Sequence, residues 1–381
     1  MALFGVGWAV SFDVGVRLYG AEIVTVVGLL LIRWQTLPVR FPMLKKVLAA
    51  FALWVLAIGL SDVVNGTALL DSVRNMATPI IGAASLIFAV SVLSRKPSAL
   101  LTFLAATAIA KAMLGDAAYG DTFAGETLNW ATIEANTNIF KVRIVPFLTP
   151  ALLILACWLG RRNLRRASIF LLLASVGYFV MDARSAGLIL FLSAMVLTMI
   201  HTGFRARRDH IILASIIAAL VSYVGYVSYV DYTIAFNPNG HNGQQLLMLE
   251  NPYNPFRLLM QGRSEWLVWP TVFMERPFFG WGSWAEDKDG RFTLLRLALL
   301  EGSTSASRNV QNQGNYIPVH SLFGVSFVWS GLLGLTAMLW FLRSVISMGK
   351  RLPLSKSYLL PAVTFLFLQI LWHYFFSPPQ H

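Results

Sequence analysis

Three residues in this chain can hold an anion or move a proton, and each stands at the start of an apolar or helical run. Arg184 lies in Asp182-Ala183-Arg184-Ser185-Ala186-Gly187, Arg263 in Gly262-Arg263-Ser264-Glu265-Trp266, and His320 just before Ser321 and after Pro318. A guanidinium beside a helix N-terminus suits a phosphate, because its fork and the backbone N–H groups point at the same anion. A histidine at an aqueous boundary, with its pKa near neutral, can take a proton from a hydroxyl. Each also has a reading without chemistry. Arg184 can snorkel to a membrane interface, Arg263 can pair with Glu265 or Glu275, and a lone histidine at a helix start is commonly structural. After nine residues beyond Ser321 come Gly331 and then Gly334, which in an apolar run let another helix approach closely.

The elements that must position these residues are membrane spans. The chain has 381 residues, 56% hydrophobic and 13% charged, more apolar surface than a soluble fold of this size hides. Hydrophobic runs near 1–17, 19–32, 45–61, 75–93, 98–114, 144–160, 167–182, 185–203, 210–230, 321–342 and 357–376 predict an all-α polytopic bundle of 11 to 12 spans. The N-terminus lacks a basic n-region and a small-residue cleavage site, so it reads as a first span. With the N-terminus inside, over half of the 30 basic residues fall in short inside loops, among them Arg161, Arg162, Arg165, Arg166, Arg205, Arg207 and Arg208. The formal charge of +12 is thereby explained by orientation and anionic headgroups, without nucleic acid.

This organisation gives a bundle over 1–230, a large outside loop over 231–320 and two closing spans over 321–381. Acidic and basic residues nearly balance in the loop, so its arginines pair locally or with a ligand. A short helix is expected from Arg263 to Arg276, broken near Pro270 and ended by Pro277, and a second from Arg291 to Leu300. Polar stretches at 237–245 and 309–316 are rich in Asn and Gln. Amide side chains beside Trp and Tyr suit sugar hydroxyls and sugar faces, and the same composition suits solvated turns. Cys157 is the one cysteine, the six histidines lack ligand spacing, and neither a phosphate-loop motif nor Gly-x-Ser-x-Gly occurs. No metal or cofactor is expected.

With these residues in place, the sequence resembles the O-antigen ligase and O-antigen/exopolysaccharide polymerase superfamily of bacterial inner-membrane glycosyltransferases. The resemblance is carried by Ala183-Arg184-Ser185-Ala186-Gly187, by Gly262-Arg263-Ser264-Glu265-Trp266, by Arg276-Pro277-Phe278-Phe279-Gly280-Trp281-Gly282-Ser283-Trp284 and by His320-Ser321-x9-Gly331-x-x-Gly334. It covers about residues 180–345.

The resemblance implies a glycan donor linked to undecaprenyl pyrophosphate, used at the periplasmic face of the inner membrane, with inversion and without metal or nucleotide. Arg184 and Arg263 would hold the pyrophosphate, and His320 would act on the acceptor hydroxyl. Arg291, with ten residues between it and Gly302, fits an Arg-x10-Gly polymerase pattern that chance also produces. Trp266, Trp284, Asn315 and Tyr316 are the expected glycan contacts. The acceptor separates two readings: a second lipid-linked glycan for a polymerase, favoured by Gly280-Trp281-Gly282-Ser283-Trp284, and lipid A-core for a ligase. A transporter of lipid-linked sugars is a third reading, disfavoured because most charges lie at span ends rather than mid-bilayer.

Overall fold

A computed structural model describes residues 1–13, 17–31, 41–114, 144–181, 183–203, 208–236, 251–262, 264–299, 321–354 and 357–376, with isolated positions between 238 and 249 and at 316, 317 and 319. The described residues are all-α apart from one small antiparallel strand pair and an isolated bridge between Glu286 and Tyr316. Among the described residues there are fourteen α-helices. They are α1 (Ala2–Gly7), α2 (Gly20–Leu31), α3 (Pro42–Asn65), α4 (Leu69–Arg95), α5 (Ala99–Leu114), α6 (Val145–Arg162), α7 (Leu164–Val180), α8 (Arg184–His201) and α9 (Arg208–Phe236). After these come α10 (Pro255–Gly262), α11 (Glu265–Glu275), α12 (Arg291–Leu299), α13 (Leu322–Gly349) and α14 (Leu360–Phe376). Helices α3, α4, α6, α8 and α13 are long and apolar enough to cross a membrane, so the protein is a multi-pass membrane protein. Helices α2, α5 and α14 are apolar but have 12, 16 and 17 residues, fewer than the ~20 that an untilted crossing needs.

The first expected span is corrected. Residues 1–17 contain the six-residue α1 and then a hairpin, β1 (Ser11–Asp13) with β2 (Arg17–Tyr19), paired antiparallel through Ser11↔Tyr19. Polar and glycine positions at Ser11, Asp13, Gly15 and Arg17 interrupt the run, and six helical residues reach only about 9 Å. The α1 backbone is instead held at mid-helix on α5, where Thr107 Oγ1 reaches the Gly5 carbonyl.

The bundle has two main apolar cores, beside a small cluster in which Phe4, Ala21 and Phe88 join α1, α2 and α4. The larger joins α5, α6, α7, α8 and α14 around Leu153, Leu171, Leu190, Leu197 and Phe365. The second joins α3, α13 and α14 around Trp54, Ile58, Met338 and Tyr374. Helix α3 runs antiparallel to α13, since Phe51 stacks near Phe341 (5.4 Å) while Ser61 reaches Trp329 (2.5 Å). Local signals explain several boundaries. Asn163 caps α7 by accepting from the Arg165 N–H (2.8 Å), and Gly66 closes α3 in the left-handed conformation, φ 64°.

A third core is built by the large loop. Val268, Trp269 and Val272 give α11 one apolar face, which packs with Phe292 of α12, Ile317, and Val325 and Val328 in the first turns of α13. Helix α11 continues through Pro270 rather than breaking there, and ends before Arg276 and Pro277. A proline mid-helix removes one backbone hydrogen bond, and here the buried face on both sides of it keeps the helix whole. The buried Asp287 carboxylate starts α12 by accepting from the N–H groups of Phe292 and Thr293.

Candidate functional site

The centre of the loop region is a break in α13. Gly331 has φ 59° and ψ −147°, a conformation open to glycine alone, so the helix bends there and its ladder of hydrogen bonds is interrupted. The orphaned groups are satisfied by Pro277–Gly282. The Trp281 N–H donates to the Val328 carbonyl (3.0 Å), the Gly282 N–H to the Trp329 carbonyl (3.0 Å), and the Leu332 N–H to the Pro277 carbonyl (2.7 Å). Ser61 of α3 donates to Trp329 as well (2.5 Å). The approach is so close that a Cβ on Gly280 would lie 2.6 Å from the Gly331 nitrogen. One on Gly334 would meet the Ser326 carbonyl. The expectation that Gly331 and Gly334 admit another helix is thus corrected: Gly331 admits a loop, and Gly334 makes room for the preceding turn of its own helix.

Side chains from α3 and α4 lock the same loop. The buried Asp62 carboxylate accepts from the Ser283 N–H (2.7 Å) and hydroxyl (2.8 Å), and Asn75 donates to Ser283 Oγ (2.7 Å). Arg276 donates to Asn65 Oδ1 (2.5 Å) and lies 4.3 Å from the Trp281 ring centroid. Trp284 has φ 56°, rare for a bulky residue. Its ring packs at 5.3 Å from Trp329 and 6.1 Å from Tyr316, with the Arg74 guanidinium 5.6 Å from its centroid. Tyr316 is about half exposed, and its backbone bridges to Glu286. Trp284 and Tyr316, two expected glycan contacts, therefore stand together at one edge of the loop.

Trp266 lies elsewhere, at the opposite end of α11, where it packs 5.2 Å from Phe376 of α14. Beside it Glu265 is fully buried, and neither carboxylate oxygen has a hydrogen-bond partner among the described residues. Ser264 is also fully buried and accepts from Arg296 Nε. Burial pushes the Arg296 pKa below the usual guanidinium range, and the Glu265 charge partly restores it. Glu265 and Arg296 are thus two buried opposite charges beneath the aromatic core, near enough for one to act on the other without a direct hydrogen bond between them. Neither was singled out as a pair in the sequence, because thirty-one positions separate them and no helical spacing links them.

Arg184 opens α8 after Ala183, which provides no side-chain cap, and its guanidinium sits 5.1 Å from the Tyr229 ring centroid in α9. Trp372 of α14 packs against the core that holds Ala183 and stacks on Phe376 at 4.5 Å. Helix α14 thereby packs against both α8 and the start of α11. Arg291 is bound by Glu275 (2.5 Å) and lies over the Phe292 ring (4.6 Å). Arg263, Asn315 and His320 lie outside the described residues, although their neighbours Ser264 and Ser321 are buried and placed. Ser321 caps α13 by accepting from the Gly324 N–H (2.9 Å). Compared with protein-family models, curated proteins and solved structures, the chain matches none of them.

Proposed function

We propose that the protein is a metal-independent inverting glycosyltransferase of the bacterial inner membrane, acting at the periplasmic face on an undecaprenyl-pyrophosphate-linked glycan, and that it polymerises that glycan. The supporting observation is the Gly331 break, sealed by Pro277–Gly282: it draws the polar loop onto the ends of α3, α4 and α13. That fold-back places Trp284 and Tyr316 on a scaffold rather than on a solvated loop. In the proposed reaction Arg184 and Arg263 neutralise charge on the leaving pyrophosphate while His320 takes the proton of the acceptor hydroxyl. The acceptor oxygen then bonds to the anomeric carbon as the bond to the phosphate oxygen breaks.

The ligase reading keeps the same residues with lipid A-core as acceptor, and His320-Ser321-x9-Gly331-x-x-Gly334 favours it. His320→Ala and Arg184→Ala separate the assigned roles. With purified protein and a lipid-linked repeat, His320→Ala is expected to stop transfer while donor binding persists, and Arg184→Ala to weaken both. Near-normal transfer by His320→Ala would remove the base from the mechanism.

A further inference from the structure

Helices α2, α3 and α4 enclose an apolar groove with a volume of about 510 Å³. Val26 and Leu30 of α2, Ala52 and Val55 of α3, and Ala83 and Ile87 of α4 are among its walls. Leu30 is 82% exposed and Val26 57%, so the groove opens on the side where a span meets lipid. The same α3 ends at Asn65, ten residues beyond Val55 and so about 15 Å further along the helix. There Arg276 is fixed by two contacts, the hydrogen bond to Asn65 and the face of Trp281. The residue remains exposed, and a guanidinium has five N–H donors. Met274 and Phe278, 75% and 69% exposed, flank it. An oriented cation between exposed apolar side chains, above a hydrocarbon-lined groove on one helix, matches an amphiphile with an anionic head.

We propose that Arg276 and the α2–α3–α4 groove form one site for a lipid phosphate, the guanidinium taking the phosphate headgroup and the groove the hydrocarbon chain. The inference rests on the proposed polymerase reading, and it assigns this site to the second lipid-linked substrate, the acceptor. The first substrate belongs at Arg184, beside α9. The two arginines have different surroundings: Arg184 lies against Tyr229 of α9, whereas Arg276 follows the end of α11 and is held by Asn65 of α3 and Trp281. A reaction joining two lipid-linked glycans needs two such sites, whereas transfer to a soluble acceptor needs one.

The test uses the full-length protein in phosphatidylcholine nanodiscs and a polyprenyl pyrophosphate bearing a diazirine in its chain, with labelled peptides mapped by mass spectrometry. Label is expected on α2–α4 as well as on α8–α9. Arg276→Gln is expected to lower the α2–α4 label about tenfold through loss of a charge-assisted contact, with Arg276→Lys in between. Ala83→Trp, which fills the groove, is expected to remove that label while the α8–α9 label stays and reports intact folding. Excess inorganic pyrophosphate should compete weakly, since it lacks the chain. An α2–α4 label unchanged by both substitutions, or displaced equally well by phosphatidylglycerol, would overturn the proposal and leave an ordinary annular lipid. Label on α8–α9 alone sinks the second site only, whereas no label on either region sinks the polyprenyl-linked donor reading itself.

Discussion

At Arg184 the guanidinium lies 5.1 Å from the Tyr229 ring centroid, a cation–π contact that limits the direction of its fork before any ligand arrives. In the proposed reaction that direction matters as much as the charge. Arg184→Lys keeps the charge and loses the bidentate fork. Transfer by this variant is expected to fall about a hundredfold, the effect typical of one lost oxyanion donor, measured as initial rate at saturating acceptor. A rate within a factor of two of the parent would leave Arg184 with a packing role. Glu265 and Arg296 make a different kind of pair, buried and remote from solvent. Glu265→Gln removes the buried opposite charge that acts on Arg296 and is expected to destabilise by about 3 kcal/mol, read as a lowered unfolding temperature in detergent. The double change Glu265→Leu with Arg296→Met is expected to recover much of that loss. If the double variant is as unstable as the single, the two side chains do not act as a pair.

Among the elements, α13 depends on a loop about fifty residues earlier in the chain to complete its own hydrogen bonding. Gly331→Ala would force a Cβ into the Phe278 carbonyl and a conformation that L side chains avoid. A loss of about 2 kcal/mol or more is expected, within the range for strained backbone, with loss of the folded species on size-exclusion chromatography. Parent-like stability would mean that the break is not needed. Asp62→Ala is expected to cost about 2 kcal/mol, because the Ser283 N–H would be left buried and unmatched and the hydroxyl would keep only the bond from Asn75. Much of this architecture was legible in the sequence. The apolar runs gave the helices from α2 to α9 together with α13 and α14, the Trp-rich stretch after Arg263 located α11, and the apolar stretch from Arg291 located α12. The contacts of Asp62, Asn65 and Asn75 were not legible, since each partner lies more than 200 residues away. A small polar residue at a span end has the same local pattern whether it meets water or a returning loop. Residues 1–17 misled because overall hydrophobicity hid the Ser11, Asp13 and Arg17 interruptions that turn the chain into a hairpin.

On the scale of the whole molecule, the basic turn between α6 and α7 and the loop core around α11 must lie on opposite sides of the membrane for the proposed periplasmic chemistry. Arg165 and Lys288 are both exposed, which makes them suitable reporter positions, while the native Cys157 is buried. In intact spheroplasts a membrane-impermeant thiol reagent is expected to label Lys288→Cys and to spare Arg165→Cys. The reverse pattern would put the loop in the cytoplasm, away from any periplasmic donor. The central claim, glycosyl transfer between lipid-linked glycans, is tested most directly with purified protein reconstituted with one lipid-linked repeat in the presence of EDTA, with and without lipid A-core. The account predicts a ladder of longer polyprenyl-linked glycans from the repeat alone. Absence of any transferred sugar with either acceptor, while the donor moves to the opposite leaflet, would contradict it and identify a transporter.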